Sequence, residues 1–139
     1  MTDNHPLPAP EPFISPETKP FWSAAKGGKL VLPHCNVCNR PIWYPKLFCG
    51  ECGSLDVEWR EASGLGTLYS HTEVHRGEGP YRDVGSYVLA LVDLDEGVRM
   101  LTNIVDAKPS SLFVGQRLQV VFDDAGESAA LPRFSPTPK

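Results

Sequence analysis

The chain has 139 residues and a mass of 15.3 kDa, room for one ordinary domain or two small modules with a modest core. Its 41% hydrophobic and 22% charged residues exclude wholesale disorder, and no apolar run approaches the ~20 residues of a membrane-spanning helix. The formal charge of −4 is uneven: residues 1–55 carry five cations against four anions and residues 56–139 eight against thirteen, so the C-terminal part lacks the basic excess that gripping phosphate backbones requires.

Six of the 14 prolines fall in the first 20 residues. Each removes a backbone donor and restricts its predecessor, so residues 1–14 read as an extended, flexible arm, either an idle terminus or a segment that docks on a partner. The start, MTDNHPLPAPEPF, has no basic n-region and no apolar h-region. It does not read as a secretory signal, and the expected location is the cytoplasm. A short helix is expected next: Pro20 suits a helix start, Phe21, Trp22, Ala24 and Ala25 follow, and Gly27-Gly28 supplies a left-handed stop. Phe21 and Trp22 are adjacent and do not share a narrow stripe, so either one of them faces the other module or a partner or, as the favoured account, both belong to the core.

Residues 29–55 show no helical period. All four cysteines lie here, as Cys35-Asn-Val-Cys38 and, ten residues on, Cys49-Gly-Glu-Cys52. Each C-x2-C pair presents two thiolates from one tight turn, and two pairs close a tetrahedron around one metal ion. Asn39 and Gly53 follow the pairs and tolerate the positive φ that such knuckles need. The expected ligands are Cys35, Cys38, Cys49 and Cys52, and the expected ion is a structural Zn2+. Iron in the same four-thiolate site stays open. Two disulfides would suit a secreted chain, and a redox C-x-x-C would need a thioredoxin-like setting that is not visible. His34 adjoins Cys35, but four thiolates leave it no ligand position.

From Val57 onward strand signals dominate. VEWRE alternates, the stretch GLGTLYSHTEVHR carries two glycines that permit a bend or bulge, and SYVLALVDL and VRMLTNIV flank a hairpin at Asp95-Glu96-Gly97. RLQVVFDD is the last clear strand. Five to seven short strands suggest a small OB-type barrel. The expected class is mainly β: a short helix and Cys-rich ribbon over 15–55, a barrel over 56–133 and a tail over 134–139.

His71 and His75 share a strand face with Tyr69 and Glu73 if strict alternation holds, a cluster capable of acid–base work or simply a solvated face. No nucleophile elbow, phosphate loop or H-E-x-x-H motif accompanies it. The loop His75–Arg82 is glycine-rich. Arg76 and Arg82 suit phosphates there and Tyr81 a flat ring, which makes the three candidate ligand contacts; a solvated loop is the alternative.

The segments FWSAAKGGKLVLPHCNVC, CGECGS, LDVEWREASGLGTLYSHTEVHR, YVLALVDLDEGVRMLTNIV and VGQRLQVVF, spanning about Pro20 to Phe134, resemble the DUF35 family. That resemblance implies a rubredoxin-like zinc ribbon followed by an OB fold, with the four cysteines as metal ligands. It also implies a non-catalytic, acyl-CoA-binding accessory subunit of a hetero-oligomer with a thiolase-like (sterol-carrier-type) enzyme that makes or cleaves carbon–carbon bonds of acyl-CoA esters, such as steroid side-chain or fatty or aromatic acyl-CoA. The rival reading is a zinc-stapled OB module that stacks single-stranded nucleic acid on Tyr69, Tyr87, Phe113 and Phe122, against which the −5 of the barrel half weighs.

Overall fold

The computed structural model describes residues 7–138. Helix α1 spans Lys19–Lys26. Pro20 lies in its first turn, where a missing N–H costs nothing, and Ser15 and Thr18 bond each other just before it. Its C-terminus closes as a Schellman turn: Gly28, at φ 84°, donates to Ala25 O at 2.9 Å and Lys29 donates to Ala24 O at 2.9 Å. Both Phe21 and Trp22 are buried, edge to face with centroids 4.9 Å apart. Both belong to the core, as core packing requires, because the helix packs against the first strand of the ribbon on one hand and against the last two barrel strands on the other.

Strands β1 (Val31–Cys35), β2 (Arg40–Pro41) and β3 (Val57–Glu61) form a small antiparallel sheet in the order β2-β1-β3. The rest is a closed barrel of β4 (Leu65–Val74), β5 (Tyr87–Leu94), β6 (Arg99–Ile104), β7 (Arg117–Asp124) and β8 (Ala130–Pro136), in the order β4-β5-β6-β8-β7. The hairpin between β5 and β6 turns through Gly97 at φ 102°, as the Asp95-Glu96-Gly97 signal predicts. The architecture is mostly β with one short helix, a cysteine knuckle sheet and an OB-like barrel.

Strand β8 runs into the segment expected as a tail, and Phe134 is wholly buried opposite Val120. Proline hid the strand. Pro132 and Pro136 are tolerated because β8 has a full ladder only with β7; toward β6 it forms the single parallel pair Ile104–Phe134. The barrel is therefore weakly seamed between β6 and β8. One continuous core joins Phe21, Trp22, Leu30 and Leu32 of the N-terminal part to Leu68, Val92, Leu118 and Phe134 of the barrel.

Of the expected arm, residues 1–6 lie outside the described residues. Residues 7–14 have no regular secondary structure and lie along the barrel, with Ile14 against the core.

Candidate metal centre and ligand groove

The two knuckles face each other. Asn39 N donates to Cys35 O and Gly53 N to Cys49 O, both at 2.9 Å, and the turns close with Asn39 at φ 61° and Gly53 at φ 77°, as the spacing predicts. The four Sγ atoms lie within 4.8 Å of one another, with Cys35–Cys52 at 3.6 Å and Cys38–Cys49 at 3.5 Å. These separations are far beyond a disulfide bond. Four sulfurs bound ~2.3 Å from a single ion at tetrahedral angles stand about 3.8 Å apart, so the donor set suits a structural zinc site.

Electrostatics point the same way. Backbone N–H groups of Cys52 and Glu51 hold the Cys49 thiol down to about 6. Burial, with the neighbouring thiols, pushes Cys38 up to about 12. The Cys38 N–H lowers Cys35, whereas at Cys52 the downward pull of the Ser54 N–H is outweighed by burial and by Cys35 and Cys49. Without a cation the four sulfurs do not all ionise together. A dication removes that conflict. His34 bonds Asn39 Oδ1 at 2.8 Å and stays outside the sulfur cluster, as the filled tetrahedron requires. Arg40 lies 3.8 Å from Glu51 on the rim.

The second candidate is a groove of about 240 Å3 where helix, ribbon and barrel meet across the β6–β8 seam. Its wall is aromatic on one side, from Phe21 and Trp22 of α1 and Trp43 and Tyr44 of the ribbon. Leu101 and Asn103 of β6 form the floor, and Tyr81 and Arg133 close one end. Arg133, 2% exposed, pairs with Asp123 Oδ2 and donates from Nη2 to Pro8 O at 2.7 Å and to the Tyr81 hydroxyl at 3.0 Å. The Tyr81 hydroxyl donates to Pro8 O at 3.4 Å, and its ring packs on Tyr87 at 5.2 Å.

Of the three loop residues singled out from sequence, Tyr81 thus lines the groove, while Arg76 and Arg82 are exposed and without a side-chain partner among the described residues. Arg133 was missed. Its signal was visible as the lone charge between Glu127 and Lys139, inside the apolar run ALPRF.

The face proposed for His71, His75, Tyr69 and Glu73 loses Tyr69, while His71 and Glu73 stay in register with each other. A β-bulge between Leu68 and Ser70 breaks the alternation. His71 then pairs with buried Ala90, whereas Tyr69 turns outward under the Arg99 guanidinium, 3.4 Å from the ring centre, and Arg99 itself binds Asp93 at 2.6 Å. Glu73 accepts from Ser86 Oγ at 2.6 Å. The aromatics of the nucleic-acid reading are scattered: Tyr87 lies on Tyr81, Phe122 against the core and Phe113 alone at a turn.

Two family models match the chain, the rubredoxin-like zinc ribbon domain of ChsH2 over residues 22–58 and its C-terminal OB-fold domain over residues 59–123. A probable enoyl-CoA hydratase alpha subunit of Thermomonospora curvata is 34% identical over 127 residues, 91% of this chain and 40% of that protein. The chain thus spans about two fifths of that relative's length. A DUF35 domain-containing scaffold protein of Methanothermobacter thermautotrophicus is 32% identical over 63% of this chain and 67% of its own. Among solved structures, a chain of the Ltp2-ChsH2(DUF35) aldolase superposes with a TM-score of 0.81 at 33% identity, covering 91% of this chain and 98% of that one.

Proposed function

The chain belongs to the DUF35/ChsH2 family of zinc-ribbon and OB-fold proteins, and on that premise we propose that it is a non-catalytic accessory subunit of a thiolase-like enzyme that makes or cleaves carbon–carbon bonds of acyl-CoA esters. The observation that carries this reading is the likeness along almost the whole of the DUF35 chain of an aldolase assembly. Two features of the site support it. The four sulfurs leave a bound ion no open position for water or substrate, so zinc held by Cys35, Cys38, Cys49 and Cys52 acts as a staple that supplies folding free energy. The groove offers apolar walls and a few directed polar groups, the make-up of a binding site, and the bulge takes Tyr69 away from the acid–base cluster that sequence alternation suggested.

In this reading the groove takes part of an acyl-CoA. Tyr81 belongs to its wall, and Arg76 and Arg82, exposed in the same loop and without a side-chain partner among the described residues, are the groups we assign to the phosphates. Residues 15–55 work as the ribbon unit, and a reducing cytoplasm keeps the four thiols available to zinc. No helix among the described residues is long and apolar enough to cross a membrane.

The test is affinity purification of the tagged chain, followed by assay of the co-purified enzyme with and without it. Stoichiometric recovery of a thiolase-like protein whose acyl-CoA cleavage or condensation drops when this chain is removed is the expected result. Full activity of the enzyme alone, or recovery of single-stranded nucleic acid in its place, refutes the reading.

A further inference from the structure

Segment 7–14 and the groove meet at one atom. Arg133 is the largest side chain buried almost completely in this protein, yet its Nη2 is satisfied only by the Tyr81 hydroxyl and the Pro8 carbonyl. Among the described residues, the hydrogen bonds that segment 7–14 makes to the rest of the chain all end on that carbonyl. The segment cannot be laddered onto the barrel in the ordinary way, because Pro8, Pro10 and Pro12 have no N–H to donate. Its other hold near this point is Leu7, seated in a separate hollow beside Tyr87, Val88 and Val105. The barrel thus spends a buried guanidinium on a chain segment that is otherwise held by side-chain packing, at Leu7 near this point and at Glu11 over Gly126 and Ile14 against the core farther along.

Two residues that line the same groove carry unused polar atoms, one of them buried from solvent. Trp22 lines it, 9% exposed, with an indole N–H that has no acceptor. Asn103 uses its Nδ2 on Val88 O at 2.9 Å, which leaves its Oδ1 as an acceptor at the floor. Donors at Arg133 and Tyr81 and an acceptor at Asn103, set among aromatic and aliphatic walls, match a chain that carries amides. They do not match an anion. Asp123 already neutralises Arg133 on its Nη1 side, so a phosphate at Nη2 would face a carboxylate across one guanidinium.

We propose that the Arg133 guanidinium and the Tyr81 hydroxyl form a carbonyl-binding station at the end of the groove, that the chain's own Pro8 carbonyl fills it in the free protein, and that an amide carbonyl of an extended uncharged ligand replaces it when residues 7–14 lift away. The ligand class rests on the acyl-CoA reading, whose pantetheine arm carries two amides along a flexible chain. The N-terminal segment is then a strap whose release is coupled to ligand binding. Exchange of one carbonyl for another keeps the buried arginine satisfied throughout, which makes the step cheap.

The experiment compares the full chain with a variant lacking residues 1–9, using pantetheine as the probe and tryptophan emission from Trp22 and Trp43 or calorimetry as the readout. Removing the competitor should raise affinity about tenfold, the factor expected when the two hydrogen bonds that the Pro8 carbonyl accepts, one short and one long, no longer compete. Leu7→Asp, which frees the strap without shortening the chain, should act in the same direction and serves if the truncated chain does not fold. Tyr81→Phe in the strap-free background should weaken binding several-fold, while inorganic phosphate should fail to compete. Equal affinity with and without the strap overturns the station while leaving the acyl-CoA reading intact. Absence of pantetheine binding in every folded variant overturns the ligand class and the station with it.

Discussion

Replacing Phe134 by alanine should cost about 3–5 kcal/mol, the range for deleting a fully buried aromatic side chain. The side chain is 0% exposed and faces Val120 across the β7–β8 ladder, and its residue forms the only β6–β8 pair, with Ile104. Its carbonyl also accepts from Val105 N at 2.8 Å, so the residue closes the barrel by backbone and fills it by side chain. The void would open at the weakest seam of the barrel, where the single ladder pair with β6 offers little resistance to fraying. For a domain of ordinary stability, about 5–15 kcal/mol, that is a large share of the total. With a urea m-value of about 2 kcal/mol per molar, the midpoint should fall by roughly 1.5–2.5 M. Leu131→Ala, at a half-buried position on the same strand, should cost distinctly less. A midpoint for Phe134→Ala within about 0.3 M of the parent would refute the placement of β8 in the core and restore a tail from residue 134.

Cys38→Ser should release the bound metal and unfold the ribbon while zinc analysis of the parent gives one ion per chain; an unchanged metal content would exclude Cys38 as a ligand. Asp95 is held below the usual carboxylate range by its bidentate bonds to Arg117, both at 2.9 Å. Because the folded value is depressed, the pair contributes above the unfolded carboxylate pKa of about 3.9 and loses that contribution as pH falls through the folded value. Asp95→Asn should therefore lower Tm by about 1–2 °C at pH 7, less at high salt, with the two melting curves converging on acidification; a difference that grows below pH 4 would contradict the sign. In the loop after β4, a Cβ on Gly77 would meet the Tyr81 Cβ and carbonyl oxygen at 2.7 Å. Gly77→Ala should cost about 1–3 kcal/mol in thermal or urea melts and displace Tyr81 from the groove, and a neutral effect would show that the loop does not hold this close approach.

The metal knuckles were legible from sequence because their chemistry is local: four cysteines at fixed spacing, each pair followed by a residue that accepts positive φ, decide the site within 18 residues. The helix stop at Gly27-Gly28 and the hairpin at Gly97 were legible for the same reason, since a turn answers to its own few dihedrals. What the chain order could not reveal was set by distant partners. The two glycines of GLGTLYSHTEVHR allowed a bulge without locating it, and its place between Leu68 and Ser70, which puts Tyr69 out of phase with His71 and Glu73, is set by the pairing of β4 with β5. Strand β8 looks like a tail because its prolines forbid an interior strand, and only the near-absence of a ladder to β6 makes them harmless. Arg133 shows in the sequence only as a lone charge in an apolar run, and its role is set by Asp123, Tyr81 and Pro8, drawn from three separate stretches of chain. Short-range geometry is written in neighbouring residues, whereas burial of a side chain depends on which segments the closed barrel brings against it.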